Sequence, residues 1–127
     1  MVVVFLRARV SDPLELRRLY EEVVERLVAF PVASPCKVHL AKIIWELLTN
    51  GRHAATDADT IGSVSFSLEP LSITIRLPGA AFDSVYGAAV QGATGLDTAD
   101  WLLKLCAWNW SHRYLAGHNE ISLVERR

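Results

Sequence analysis

Apolar residues open the chain. Val2, Val3, Val4, Phe5 and Leu6 stand ahead of Arg7 and Arg9, a β-branched run that predicts a strand over 2–10. Asp12-Pro13 then carries a helix-start signal, with Asp12 as N-cap and Pro13 at the first helical position. From there the period changes. Leu16, Leu19, Tyr20, Val23, Val24, Leu27 and Val28 recur every three to four positions, one buried stripe of a helix that ends near Phe30-Pro31. Ser34-Pro35 repeats the start signal and predicts a second helix to about Ala55. Its apolar set, Val38, Leu40, Ala41, Ile43, Ile44, Trp45, Leu47 and Leu48, covers most of the circumference, the pattern of a helix lying deep against a sheet. His39, Lys42, Glu46, Thr49, Asn50 and His53 are left over at steps of three and four, which places them on one narrow polar face. Gly51 interrupts this helix at a cost of about 1 kcal/mol relative to alanine, and so predicts a close backbone approach there.

After a polar turn over Thr56 to Thr60, Val64, Phe66 and Leu68 alternate with serines. Glu69-Pro70 breaks the run, and Ile73, Ile75 and Leu77 alternate again, which reads as a hairpin. Residues 78–95 are rich in Gly, Ala and Ser and form the candidate mobile loop. Leu96 to about Ala107 has helical character, with Asp97 or Thr98 near its start. Trp108 to Leu115 and Glu120 to Val124, joined through Ala116-Gly117-His118-Asn119, make a final hairpin. The order is strand, helix, helix, strand, strand, loop, helix, strand, strand. It predicts an α+β fold: a two-layer α/β sandwich with a mostly antiparallel sheet and helices on one face.

Composition narrows the class. A chain of 127 residues holds one core, so a single domain over 1–127 is expected. With 51% hydrophobic and 21% charged residues, the composition excludes a disordered polymer. A net charge of -1 gives no electrostatic footprint for nucleic acid or an anionic membrane, so neither is an expected partner. No apolar stretch approaches the eighteen or so residues of a membrane span, and the start lacks a cleavage-site pattern. Cys36 and Cys106 share no metal-like spacing and read as two buried thiols in a reducing compartment; the expected location is cytoplasmic.

Candidate chemistry sits on the polar face of the second helix. Glu46 and Asn50 are four apart, so carboxylate and amide project side by side. Such a pair can hold a hydrated Mg²⁺ through the amide oxygen while the carboxylate orients or deprotonates an attacking group. The competing reading is a solvated stripe in which Lys42 and Glu46 form an i,i+4 ion pair.

The surrounding string, Glu46-Leu47-Leu48-Thr49-Asn50-Gly51-Arg52-His53-Ala54, resembles the N-box of the GHKL ATPase superfamily. More narrowly, it is similar to the "E-L-V-T-N-A-x-x-H-A" string of the anti-sigma-factor serine kinases, the histidine-kinase-like regulators of partner-switching systems. Arg76-Leu77-Pro78-Gly79-Ala80-Ala81-Phe82-Asp83 resembles that family's "D-x-G-x-G-F-D" loop, and Gly92-Ala93-Thr94-Gly95-Leu96 its glycine box. The closing Gly117-His118-Asn119-Glu120-Ile121-Ser122-Leu123 also fits. The resemblance covers nearly the whole chain. It implies a histidine-kinase-like ATPase fold and an ATP-dependent serine protein kinase. Glu46 would be the catalytic base and Asn50 the Mg²⁺ ligand. Gly79, Gly92, Thr94, Gly95 and Leu96 would complete the nucleotide site, with backbone amides and a helix N-terminus on the phosphates. The implied partner is a protein, a sigma factor or an anti-sigma-antagonist domain. A third reading keeps the same fold as an accessory subunit or a homodimer with no signalling role.

Two departures bear on Mg-ATP. The loop aspartate that accepts a hydrogen bond from the adenine amino group falls at Leu77, and the second loop glycine falls at Ala81. Either the loop lies in another register or the adenine site is degraded. A lost buried polar partner costs about 1–3 kcal/mol, roughly ten- to a hundredfold in affinity, so weak binding is expected. The alternative is a nucleotide-free protein of the same fold that acts as a binding module.

Other residue types add little. His39, His53, His112 and His118 pair with no Cys or carboxylate at a metal-site spacing, and His53 reads as helix-end packing. Trp101, Trp108, Trp110 and Tyr114 read as core and hairpin packing, or else as an aromatic patch for a partner. There is no Gly-x-Ser-x-Gly elbow, and Gly92-Ala93-Thr94-Gly95 lacks the Gly-Lys-Ser/Thr of a P-loop.

Overall fold

The computed structural model describes residues 2–30, 34–55, 57–68, 70–81 and 108–125, with 34 and 35 in backbone only. Two helices and five strands follow in the order β1 (Val2–Arg9), α1 (Pro13–Ala29), α2 (Ser34–Ala54), β2 (Ile61–Ser67), β3 (Ser72–Pro78), β4 (Trp108–Leu115) and β5 (His118–Glu125). The strands form one antiparallel sheet in the order β1-β2-β3-β5-β4. The α+β architecture expected from the pattern is present. The candidate loop beyond residue 81 and the helix expected over Leu96 to Ala107 lie outside the described residues.

Period-two alternation builds the inner sheet face. Val64 and Phe66 of β2, Ile73, Ile75 and Leu77 of β3, and Ile121 and Leu123 of β5 are all buried, while the serines between them face outward. Leu68, expected to continue β2, falls in the turn and is exposed. Trp108 of β4 closes one side of the core, as packing predicts, and Trp110 packs against it.

The first helix forms for the reason its sequence offers. Asp12 Oδ1 accepts from the backbone N–H of Leu14 at 2.9 Å and of Glu15 at 3.4 Å, and Pro13 occupies the first turn. Leu16, Leu19, Val23 and Leu27 carry its buried stripe. Tyr20 and Val24 are half-buried at its margin, and Val28, expected within it, is exposed because it lies past the stripe on the side turned from the sheet. At its end Phe30 stacks on Phe66 with ring centroids 5.3 Å apart, which fastens the helix layer to the sheet.

The second helix corrects its reading. Leu40, Ile43, Ile44, Leu47 and Leu48 are buried against the sheet, but Val38 and Trp45 point away from it. The apolar girdle is therefore two faces, one on the core and one outside. Cys36 is disulfide-bonded, which overturns the expectation of two free thiols and removes their support for a reducing compartment. The other cysteine, Cys106, lies outside the described residues. No described helix is long and apolar enough to cross a membrane.

Candidate functional site

The site residues named from the sequence divide into three groups. Glu46 and Asn50 lie one turn apart on α2, and Gly79 directly follows β3. Gly92, Thr94, Gly95 and Leu96 lie outside the described residues, as do Trp101 and the rest of the glycine-box string.

Glu46 and Asn50 are half-buried, and the Glu46 Oε2 and Asn50 Nδ2 atoms are shielded from solvent. Neither atom has a hydrogen-bond partner among the described residues. No ion pair joins Lys42 to Glu46 there; Lys42 turns instead toward α1 and lines a groove between the helices. The narrow polar face therefore splits, with Lys42 and Thr49 on the α1 side and the Glu46–Asn50 pair apart from them. Each desolvated, unpartnered atom costs about 1–3 kcal/mol, so the pair is an expensive feature of α2.

Behind this pair the helix meets the sheet at Gly51. A Cβ at position 51 would lie 2.6 Å from Leu77 Cδ2 and 3.0 Å from Cδ1, so the close approach expected there is made by Leu77. Gly62 of β2 gives room from the other side, where a Cβ would stand 3.2 Å from the same Cδ2. Leu77 is 0% exposed. Where the resemblance puts a hydrogen-bond acceptor, the structure puts hydrocarbon packed between two glycines.

The loop after β3 is sewn to α2. Gly79 has φ +135, and any Cβ there would collide with the Ala54 carbonyl. The next N–H, that of Ala80, donates to Ala54 O at 3.0 Å, and Gly79 N–H donates to Gly117 O at 3.0 Å. Three side chains of the β4–β5 hairpin complete the clamp. Asn119, fully buried, donates through Nδ2 to Ala80 O at 2.8 Å and Leu77 O at 3.3 Å. His112 Nε2 lies 3.1 Å from Asn119 Oδ1, and Tyr114 donates to Gly79 O at 2.7 Å.

Sequence reasoning passed over this clamp. Its signal was parity: Asn119 shares the inward register of Ile121 and Leu123, so a polar side chain had to be buried and satisfied. His53, expected to pack the helix end, is exposed.

Charge gathers on the open face of the sheet. Glu120 sits between Arg76 and Arg113, with Nε of each 2.9 Å from one of its carboxylate oxygens. Burial pushes its carboxyl up, but the hydrogen bonds from Arg113 and Arg76 outweigh this and hold it below the usual glutamate range. Beside the β1 edge, Glu15 of α1 is held low by hydrogen bonds from the backbone N–H and guanidinium of Arg9. Neither group adjoins Glu46 in the chain or in these pairings. The sequence matches no family model and no curated protein.

Proposed function

We propose that the protein is an anti-sigma-factor-like regulator of a partner-switching system, built on a histidine-kinase-like ATPase fold, that binds Mg-ATP weakly at the Glu46–Asn50 face of α2. The observation that carries this reading is the pair of shielded, unpartnered polar atoms on Glu46 and Asn50, within the one string that resembles an N-box. The unpartnered Glu46 carboxylate oxygen suits a cation, and the unpartnered Asn50 amide nitrogen, a donor, suits that cation's anionic ligand, with the amide oxygen of Asn50 left to face the metal. Asn50 would ligate the metal and Glu46 would orient or deprotonate a partner serine hydroxyl; the metal, when bound, neutralises phosphate charge. The metal end of the site fits the residues present. The base end does not, because Leu77 offers the adenine edge no acceptor.

The same contact favours a second reading, a nucleotide-free module that works by holding its partner. In the resembling strings, alanine stands at position 51 and aspartate at position 77. Here both differ, and glycine and leucine meet in one packed contact. Under either reading the partner is a sigma factor or an anti-sigma-antagonist domain.

Calorimetric titration with ATP, with and without Mg²⁺, alongside Asn50→Ala, separates the two. Micromolar, Mg²⁺-dependent binding that is lost in the variant supports the first reading. An absence of heat at millimolar ATP refutes it and leaves the module.

A further inference from the structure

The face of the sheet turned away from the helices carries its cations in a line. Arg7 of β1 lies beside Ser63 of β2, Ser63 beside Arg76 of β3, Arg76 beside Glu120 of β5, and Glu120 beside Arg113 of β4. One row therefore crosses the whole sheet. Neighbouring strands stand about 4.8 Å apart, which sets the arginines at intervals of about 10 Å along a row of about 19 Å. The next row, Phe5, Ser65, Thr74, Ser122 and Ser111, is uncharged and rich in hydroxyls. A polar outer face is ordinary in an antiparallel sheet, but the sign of this one is not balanced. Three arginines face one glutamate, on a chain whose net charge is -1.

Glu120 does not cancel the row. It accepts from Nε of Arg76 and of Arg113, each at 2.9 Å, and the Nη nitrogens of Arg76 have no partner among the described residues. The two arginine side chains are 55% and 65% exposed, and their two charges against one carboxylate leave a positive excess. Arg7 makes no ion pair among the described residues; its guanidinium carbon lies 6.0 Å from the centroid of the exposed Phe5 ring. Arg9 shares the parity of Arg7 but turns to Glu15, and Glu125, the other acid of β5, has the inward parity. Between the Arg76–Arg113 pair and the β4–β5 turn, Leu115, Ala116 and His118 line a cavity of about 240 Å³.

We propose that this row docks an acidic peptide segment of a partner protein, with its carboxylates on Arg7, Arg76 and Arg113 and an aliphatic side chain in the cavity beside Leu115. Guanidinium groups pair with carboxylates through parallel N–H donors, and the hydroxyls of the adjoining row add further donors. The charge of the row calls for an anion, and its shortage of rings favours a peptide over a single-stranded nucleic acid. Phe5 is the one Phe, Tyr or Trp among the outward-facing residues of the described strands, too few for a base-stacking platform. The surface lies across the sheet from α2, so it stands or falls independently of the Glu46–Asn50 reading.

Fluorescence anisotropy of the full chain with a labelled, glutamate-rich peptide of about eight residues, long enough when extended to span the row, tests it. Binding is expected at about 10–100 μM in low salt and should weaken as salt is added. Arg76→Gln and Arg113→Gln should each weaken it about fivefold, and Arg7→Gln about two- to fivefold. Arg17→Gln removes the same charge from the exposed side of α1 and should leave binding unchanged. All four arginines are exposed, and circular dichroism checks that each variant is folded. A wild type that fails to bind at millimolar concentration overturns the proposal. So does an Arg17→Gln loss as large as those in the row, since attraction would then follow net charge alone. An oligothymidylate of equal charge that binds more tightly than the peptide would overturn it as well, by marking the row as a phosphodiester surface.

Discussion

Replacing Gly51 with alanine sets two effects of opposite sign against each other. Inside a helix, glycine to alanine ordinarily stabilises by about 1 kcal/mol. Here the new methyl would stand 2.6 Å from Leu77 Cδ2, 3.0 Å from Cδ1 and 3.1 Å from Cγ. Leu77 cannot swing clear, for it is fully buried and its Cδ2 already lies against Gly62. Overpacking of this kind costs about 1–3 kcal/mol, so Gly51→Ala should destabilise by about 1 kcal/mol net, a fall in melting temperature of roughly 3–5 °C. Leu77→Ala alone should cost about 2–5 kcal/mol through the lost side chain and its cavity. In that background the methyl at position 51 has room, and the same Gly51→Ala change should stabilise by about 1 kcal/mol. The coupling between the two positions is then about 2 kcal/mol. Urea unfolding of the four proteins, followed by circular dichroism, measures it. A Gly51→Ala chain more stable than wild type, or an equal effect in both backgrounds, would refute the reasoning.

Gly79→Ala should cost about 3 kcal/mol or more in urea unfolding, because its Cβ collides with the Ala54 carbonyl and displaces the Ala80–Ala54 hydrogen bond beside it. Ala116 holds φ 54 and Gly117 φ 80 in the β4–β5 turn, so Ala116→Asn should raise the melting temperature, the gain being about 0.5–1 kcal/mol. Glu120, whose folded pKa lies below the ordinary 4.5, contributes stability that is present above that value and is lost as pH falls through the folded one. Glu120→Gln should therefore be less stable than wild type at neutral pH, with the difference closing in acid; a gap that stays constant with pH would sink that account.

How far the chain could be read depended on whether a feature was local. Asp12-Pro13, the centre of the α1 stripe at Leu16, Leu19, Val23 and Leu27, and the alternation through Val64, Phe66, Ile73 and Ile75 are contained within single elements and formed as read, while Val28 at the stripe's edge did not. The α2 girdle was misread because periodicity counts apolar residues without saying what covers them. Val38 and Trp45 look like core positions until Tyr20 takes one side of the indole. Gly51 announced a close approach but not its partner, since Leu77 lies 26 positions on and the contact is made by tertiary packing. The Cys36 disulfide was invisible for a similar reason: a separation of 70 positions between the two cysteines carries no pairing information. Glu46 and Asn50 were legible as a pair. Their desolvation was not, because it depends on what surrounds the helix.

That desolvation sets the terms on which the pair persists. The floor behind Asn50 is hydrocarbon fitted into glycine-made gaps, an arrangement that serves stability. One turn earlier the chain does the reverse and shields a carboxylate oxygen, while Asn50 shields an amide nitrogen, neither with a partner among the described residues. A chain under demand for stability alone would gain by exchanging either side chain. Asn50→Ala removes one orphan, worth about 1–3 kcal/mol, and replaces a weak helix former with the best one, worth about 0.5 kcal/mol more. In the absence of nucleotide this variant should therefore melt about 3–5 °C or more above wild type. If the pair binds Mg-ATP, adding it should raise the wild-type melting temperature and leave that of the variant unchanged. A variant that is less stable than wild type without ligand would mean that Asn50 holds structure rather than a site, and the stability–function trade at this position would be refuted.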